Sequence, residues 1–252
     1  MSGFSFSSQL ALIGVPDAFR VRFTSPGYTE TRPSHGDGTM IEALVPEAAT
    51  AEMHADVPEP TMFASEAACV AGAVAGRRRE FATIRCCARD ALRRIGVIGV
   101  PILPDSDRVP RWPAGVIGSM THCEGYRAAA VARSDALGGI GIDAEPHGPL
   151  PAEALELLLR DEERATLRPL ADAEPTLHWD RIAFCAKEAV FKAWFPPTRR
   201  WLDFADVSTT VDPGGTFGAR VLVGDECELG AFSGRWIVNR DLVVAATSIG
   251  TR

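Results

Sequence analysis

Between Trp179 and Trp194 the chain places Ile182, Cys185, Ala186, Ala189 and Ala193 at helical spacing, an apolar stripe that has to be covered by a sheet or another helix. Pro175 stands at a first helical position, so this helix is expected to run to Phe195 and stop at Pro196-Pro197. The C-terminal stretch differs in kind: 207–249 is rich in Val, Thr and Gly and predicts three or four antiparallel strands. Gly139 to Glu145 predicts a strand, and Pro151 to about Leu167 a helix with Leu155, Leu158 and Leu159 inward. Helix and strand segments in this order, closing on a strand-rich tail, give an α+β fold.

The segment from Ser65 to about Ile95 is also helical. Ser65 can cap it and Glu66 sits in the first turn, with a break or kink expected at 76–80 and an end at Gly96. A proline-rich connector spans 101–113. Helix propensity alone would make Tyr126 to Ala132 a helix. The turn signals Glu124-Gly125 and Ser134-Asp135 favour a short strand instead. Residues 1–39 show turn formers and little periodicity, and are expected to form a flexible extension, with a single strand at 19–23 as the alternative. Two halves are expected after it, 40–135 and 136–252.

The 252 residues carry a net charge of −7, which gives no global support to nucleic-acid binding. No apolar run is long enough to span a bilayer. The start Met1-Ser2-Gly3-Phe4-Ser5 lacks the cationic and apolar regions of a signal peptide, so a cytoplasmic location is expected, without a membrane partner. None of the six cysteines forms a CxxC pair and zinc spacing is absent. They read as small buried residues in a reducing compartment.

Four constellations carry chemistry. In Gly141-Ile142-Asp143-Ala144-Glu145, alternate residues of a strand share a face, so Asp143 and Glu145 point the same way, about 7 Å apart at Cα. Such a pair suits a hard cation with open positions such as Mg²⁺. The alternative is a strand end with two solvated acids. On the helix, Glu188 projects away from the apolar stripe beside Phe184 and Phe191 and can pair with Lys192 at i+4. Aromatic neighbours suggest a partly desolvated carboxylate, fit to be a ligand or base, and Lys187 adds a cation suited to phosphate. In Ser119-Met120-Thr121-His122, a histidine in a turn after a strand could bond a phosphate, or could be structural. A basic set, Arg77, Arg78, Arg79, Arg85 and Arg89, is either a solvated helix face or a grip for a nucleotide phosphate.

Together these segments resemble the 4′-phosphopantetheinyl transferase superfamily. Its strand signature is matched by Gly141-Ile142-Asp143-Ala144-Glu145. Its helix signature is matched by Phe184-Cys185-Ala186-Lys187-Glu188-Ala189-Val190-Phe191-Lys192, and its Ser/Thr-His segment by Ser119 to Cys123. Arg78-Arg79-Glu80-Phe81, Arg85-Cys86-Cys87-Ala88-Arg89 and His178-Trp179-Asp180-Arg181 resemble actinobacterial members of the enterobactin-synthase-like branch. The resemblance covers about Ala64 to the C-terminus.

It implies a monomer of two similar α/β halves in a pseudo-dimeric arrangement, with the site in the cleft between them. Asp143, Glu145 and Glu188 are implied to hold Mg²⁺, with Mn²⁺ as an alternative. Coenzyme A is the implied co-substrate: Lys187, Lys192, Ser119, Thr121 and His122 would hold its phosphates, and Arg77 and Arg85 would face its 3′-phosphoadenosine end. Glu188, Lys192 and His122 are the implied catalytic groups, and apo acyl or peptidyl carrier proteins the implied partners. Pro104 stands where relatives often carry a lysine, with Arg108 or Arg111 as substitutes. Three converging carboxylates would repel without metal, so neutralising Asp143 is expected to spare the fold or to stabilise it slightly.

Overall fold

The computed structural model describes residues 39–58, 60–223 and 229–251. The expected extension 1–39, with its alternative strand, lies outside them apart from Thr39. In chain order the elements are α1 (Met40–Leu44), β1 (Ala49–Met53), α2 (Ala64–Cys69), α3 (Ala75–Arg94), β2 (Leu103–Pro104), β3 (Pro110–Arg111), β4 (Val116–Cys123), β5 (Tyr126–Arg133) and β6 (Leu137–Pro146). They continue with α4 (Ala152–Leu158), α5 (Asp161–Ala173), α6 (Trp179–Thr198), a 3₁₀ turn (Phe204–Asp206), β7 (Val207–Asp212), β8 (Thr216–Val221), β9 (Ala231–Asn239) and β10 (Leu242–Gly250). The fold is α+β. Among the described residues no helix is long and apolar enough to cross a membrane.

Two antiparallel sheets organise it. One has the order β1-β5-β4, the other β6-β10-β9-β8-β7, and β2-β3 is a two-stranded clip. β5 explains its own composition. Ala128, Ala130 and Ala132 join one core with Ile41, Ile142 and Val244, while Ala129 and Val131 join another with Ile84, Cys87 and Leu92 of α3. A strand buried on both faces between cores closing from each side takes small residues, and the tertiary packing overrides the helix propensity of alanine.

α6 is buried around nearly its whole circumference, from Trp179 through Trp194. It therefore packs against sheet on one side and α5 and β7 on another, and no face of it is a solvent face. Several boundaries differ from the sequence expectations. The break in the first helical region falls before Ala75, and Gly76 lies inside α3. The single helix expected from Pro151 to Leu167 is two, separated at Leu159 and Arg160. α6 begins at Trp179 and continues through Pro196-Pro197 to Thr198. The prolines are tolerated because they sit in the last turn, where local bonds recover carbonyls. Thr198 Oγ1 donates to Trp194 O at 2.7 Å, and the Arg199 N–H, in the left-handed conformation, donates to Phe195 O at 2.8 Å.

Candidate functional site

The site forms where β6 meets both β4 and α6. β6 is an edge strand, and its outward N–H groups need partners. Hydroxyls supply them: the Ile142 N–H donates to Ser119 Oγ and the Ala144 N–H to Thr121 Oγ1, each at 3.1 Å. Ser119, Thr121 and His122 thus lie within strand β4 and not in a turn after it. Ser119 and Thr121 are nearly inaccessible and work as bolts between two strands.

Gly141 sets how closely α6 approaches. A Cβ there would lie 1.8 Å from Ala189 O and 2.7 Å from Ala193 N, so only glycine lets the helix backbone rest on the strand. This contact brings the acids of β6 beside the end of the signature helix. Lys192 Nζ lies 2.6 Å from Asp143 Oδ1 and 3.4 Å from Thr121 Oγ1, and Thr121 Oγ1 also donates to Asp143 Oδ1 at 3.2 Å. Asp143, Glu145 and Glu188 are all buried, Glu188 completely.

Their charges interact. Burial, then Asp143, pushes the Glu145 carboxyl well above the ordinary range, with Glu188 adding to the rise and Arg181 and Lys192 opposing it. Burial pulls the Lys192 ammonium down, but Asp143 and Glu188 outweigh it and hold the pKa above its usual value. Arg181 also fixes Glu145 in place: Nη1 lies 3.3 Å from Glu145 Oε2, while Nε and Nη2 donate to Gly148 O and Pro149 O.

The chemistry of the donors, though not a ready-made cage, suits a divalent cation. Asp143 Oδ2 is buried with no hydrogen-bond partner among the described residues, and the nearby carboxylates are hard oxygen donors. Lys192 supplies the positive charge at Asp143. Among the described residues no group of three or more His, Cys, Asp or Glu side chains is already gathered as a metal would need.

A second cluster adjoins the first. Arg77 Nη1 donates to Glu80 Oε2 at 2.6 Å and lies 3.4 Å from His122 Nε2. His122 Nε2 is 3.2 Å from Glu80 Oε1. Burial lowers the imidazole pKa; Glu80 opposes this, and the cations Arg77, Arg127 and Lys192 reinforce it.

Two of the residues implied for coenzyme A have partners inside the protein. Lys187 is buried, with Nζ 2.6 Å from Glu163 Oε2 and donating to Leu158 O and Phe204 O. All three of its N–H groups are engaged within the protein, by Glu163 and two backbone carbonyls. Burial lowers its pKa against the pull of Glu163. Arg85 lies inside the protein, its guanidinium 3.2 Å over the Phe81 ring, with Nε bonded to Ile102 O and Nη1 to Phe81 O. Burial lowers its pKa to about 10. Arg89 holds the fully buried Glu66 through Nη1, 2.9 Å from each carboxylate oxygen. Arg78 and Arg79 are exposed.

Sequence reasoning missed Glu80, Arg127 and Arg181. Glu80 stands three residues after Arg77, a legible helix pair. Arg127, alone among the alanines of β5, signals a charge that must be partnered; its Nη2 lies 3.0 Å from Asp56 Oδ1.

Comparison with known proteins defines the class. A family model for the 4′-phosphopantetheinyl transferase N-terminal domain matches residues 65–132, and one for the 4′-phosphopantetheinyl transferase superfamily matches residues 139–246. The chain is 49% identical over 220 residues to 4′-phosphopantetheinyl transferase Svp of Streptomyces mobaraensis, covering 83% of this chain and 89% of that protein. It is 44% identical to 4′-phosphopantetheinyl transferase PptT of Mycobacterium tuberculosis (83% and 97% covered) and 40% identical to 4′-phosphopantetheinyl transferase Npt of Nocardia iowensis (82% and 98%). Enterobactin synthase component D of Salmonella typhi matches at 34% identity over 48% of this chain and 50% of that protein. The chain belongs to the 4′-phosphopantetheinyl transferase superfamily.

Proposed function

We propose that this chain transfers the 4′-phosphopantetheine group of coenzyme A to a serine of apo acyl or peptidyl carrier proteins. The products are holo-carrier and adenosine 3′,5′-bisphosphate, as for a holo-acyl-carrier-protein synthase. The observation that carries this reading is the meeting of Asp143 and Glu145 on β6 with Glu188 and Lys192 on α6, acids and a lysine drawn from two segments far apart in sequence.

Asp143, Glu145 and Glu188 would hold Mg²⁺, which when bound offsets charge on the pyrophosphate and the departing bisphosphate. The chain's own groups do the rest. Glu188, buried and interacting with the Lys192 charge, would take the proton of the carrier serine, directly or through a water. The serine oxygen forms a bond to the pantetheine-bearing phosphorus, and the bridging P–O bond breaks. Lys192 and His122 would offset the charge developing on the leaving phosphate, and Arg77 adjoins His122. The protein acts as a monomer, in the cytoplasm, on carriers of fatty acid, polyketide, nonribosomal peptide or siderophore synthases, and on neither nucleic acid nor membrane.

The test is the intact mass of an apo-carrier incubated with enzyme, coenzyme A and Mg²⁺. A gain of one phosphopantetheine unit supports the reading. An unchanged carrier mass, with coenzyme A turned over, points instead to another Mg²⁺-dependent phosphoryl or nucleotidyl transferase. Binding of carrier without either change points to a non-catalytic homologue.

A further inference from the structure

The cationic side of the site carries its own counter-anion. Glu80 pairs with Arg77 on its own helix, α3, and reaches across to groups on two strands. One oxygen lies 2.6 Å from Arg77 Nη1; the other lies 3.2 Å from His122 Nε2 on β4 and 4.0 Å from Arg127 Nη2 on β5. Arg127 in turn pairs with Asp56. Two guanidinium groups therefore face two carboxylates, and the cluster sums to no net charge. The Glu80 side chain is only 15% exposed, so this is not a solvated helix pair of the kind that contributes little.

Its geometry has a chemical meaning. A carboxylate held by an arginine and a histidine offers those donors the oxygens that a phosphate would offer. The donors it engages, Arg77 and His122, are the ones assigned above to coenzyme A. A phosphate arriving there meets a negative charge already in place, and like charges in such proximity repel strongly.

We propose that Glu80 is a specificity-determining residue: an internal anion that holds the phosphate position between Arg77 and His122 against small free anions and yields it only to a larger phosphate ester. Inorganic phosphate and pyrophosphate lack the adenosine and pantetheine contacts that would offset displacement of Glu80. Coenzyme A has both, so the residue filters ligands without excluding the substrate. This inference rests on the functional reading above, and the measurement separates the two.

The probes are inorganic pyrophosphate and coenzyme A, titrated calorimetrically into the full chain with a chelator and without Mg²⁺. Wild type should bind coenzyme A and bind pyrophosphate weakly. Glu80→Gln, which keeps the shape and removes the charge, should bind pyrophosphate about tenfold tighter. A purely structural role would weaken binding on substitution, so a gain is the diagnostic readout. Glu80→Asp withdraws the carboxylate by one methylene while keeping the charge, and should show an intermediate gain; it decides the matter if the Gln variant does not fold. Coenzyme A binding by wild type with unchanged or weaker pyrophosphate binding by the variant overturns the inference alone. Wild type that binds no coenzyme A overturns the functional reading and this inference with it.

Discussion

Lys192 Nζ and Asp143 Oδ1 lie 2.6 Å apart across 49 positions of sequence, joining the signature helix to the acidic strand through one ion pair. The pair puts a cation beside Asp143, so the repulsion expected among bare carboxylates is already partly offset. That changes the expected effect of neutralising Asp143. Asp143→Asn leaves a largely buried ammonium without its nearest anion. It should destabilise the metal-free protein by roughly 1–3 kcal/mol, and not stabilise it as the sequence suggested. Carrier modification should fall by about 100-fold or more. Chemical denaturation with a chelator, beside intact-mass kinetics, checks both; a more stable variant would contradict the role of Lys192.

Glu145 gives the pH dependence. Its carboxyl is raised in the folded state above the ordinary glutamate value of 4.5, first by burial and then by Asp143. The folded protein thus binds more protons than the unfolded chain above about pH 4.5. The associated stability is fully present below that value and is lost as pH rises through the folded-state pKa. Without metal, the melting temperature should fall as pH rises across this window. With Mg²⁺ and coenzyme A the fall should shrink, and binding should release protons. Calorimetry in two buffers of different ionisation enthalpy measures that release.

Lys187 tests which lysine serves the site. Lys187→Met alone strands a buried Glu163 carboxylate and should cost about 3–5 kcal/mol. Glu163 also accepts the Thr209 N–H, so its removal too is felt in β7. The double variant Lys187→Met/Glu163→Leu should recover much of the loss, with KM for coenzyme A close to wild type. A raised KM in a well-folded double variant would restore Lys187 as a phosphate contact.

We propose that the folded unit begins at Thr39, the first described residue. Thr39 Oγ1 accepts the Glu42 N–H and meets Thr50 Oγ1 at 3.0 Å, and the Met40 N–H donates to Glu52. Met40, Ile41, Leu44 and Val45 are buried in the core shared with β5, β6 and β10. A chain beginning at Thr39 should modify carrier like the full chain. One beginning at Pro46 loses these four side chains, each worth roughly 1.5–3 kcal/mol of burial, and should not fold. Equal melting temperatures for the two would show that α1 is not part of the core.

α1, β1 and the strand character of 119–122 were not legible in the amino-acid sequence, but the longer helices, the strands at 126–132, 139–145 and 207–249, and the shared face of Asp143 and Glu145 were. They follow from local periodicity: a strand repeats every two residues, and a helix about every 3.6. Periodicity does not say what each face meets. α6 is apolar nearly all round, so its pattern leaves open which side rests on β6. Lys187 and Lys192 look equivalent in sequence, yet one is locked to Glu163 and the other reaches Asp143. The same holds for Ser119 and Thr121, whose bonds to the β6 backbone appear only once β6 is placed beside β4. Glu80, Arg127 and Arg181 acquire meaning only through partners on other elements, because burial decides what a charge must pair with, and burial is a property of the tertiary structure.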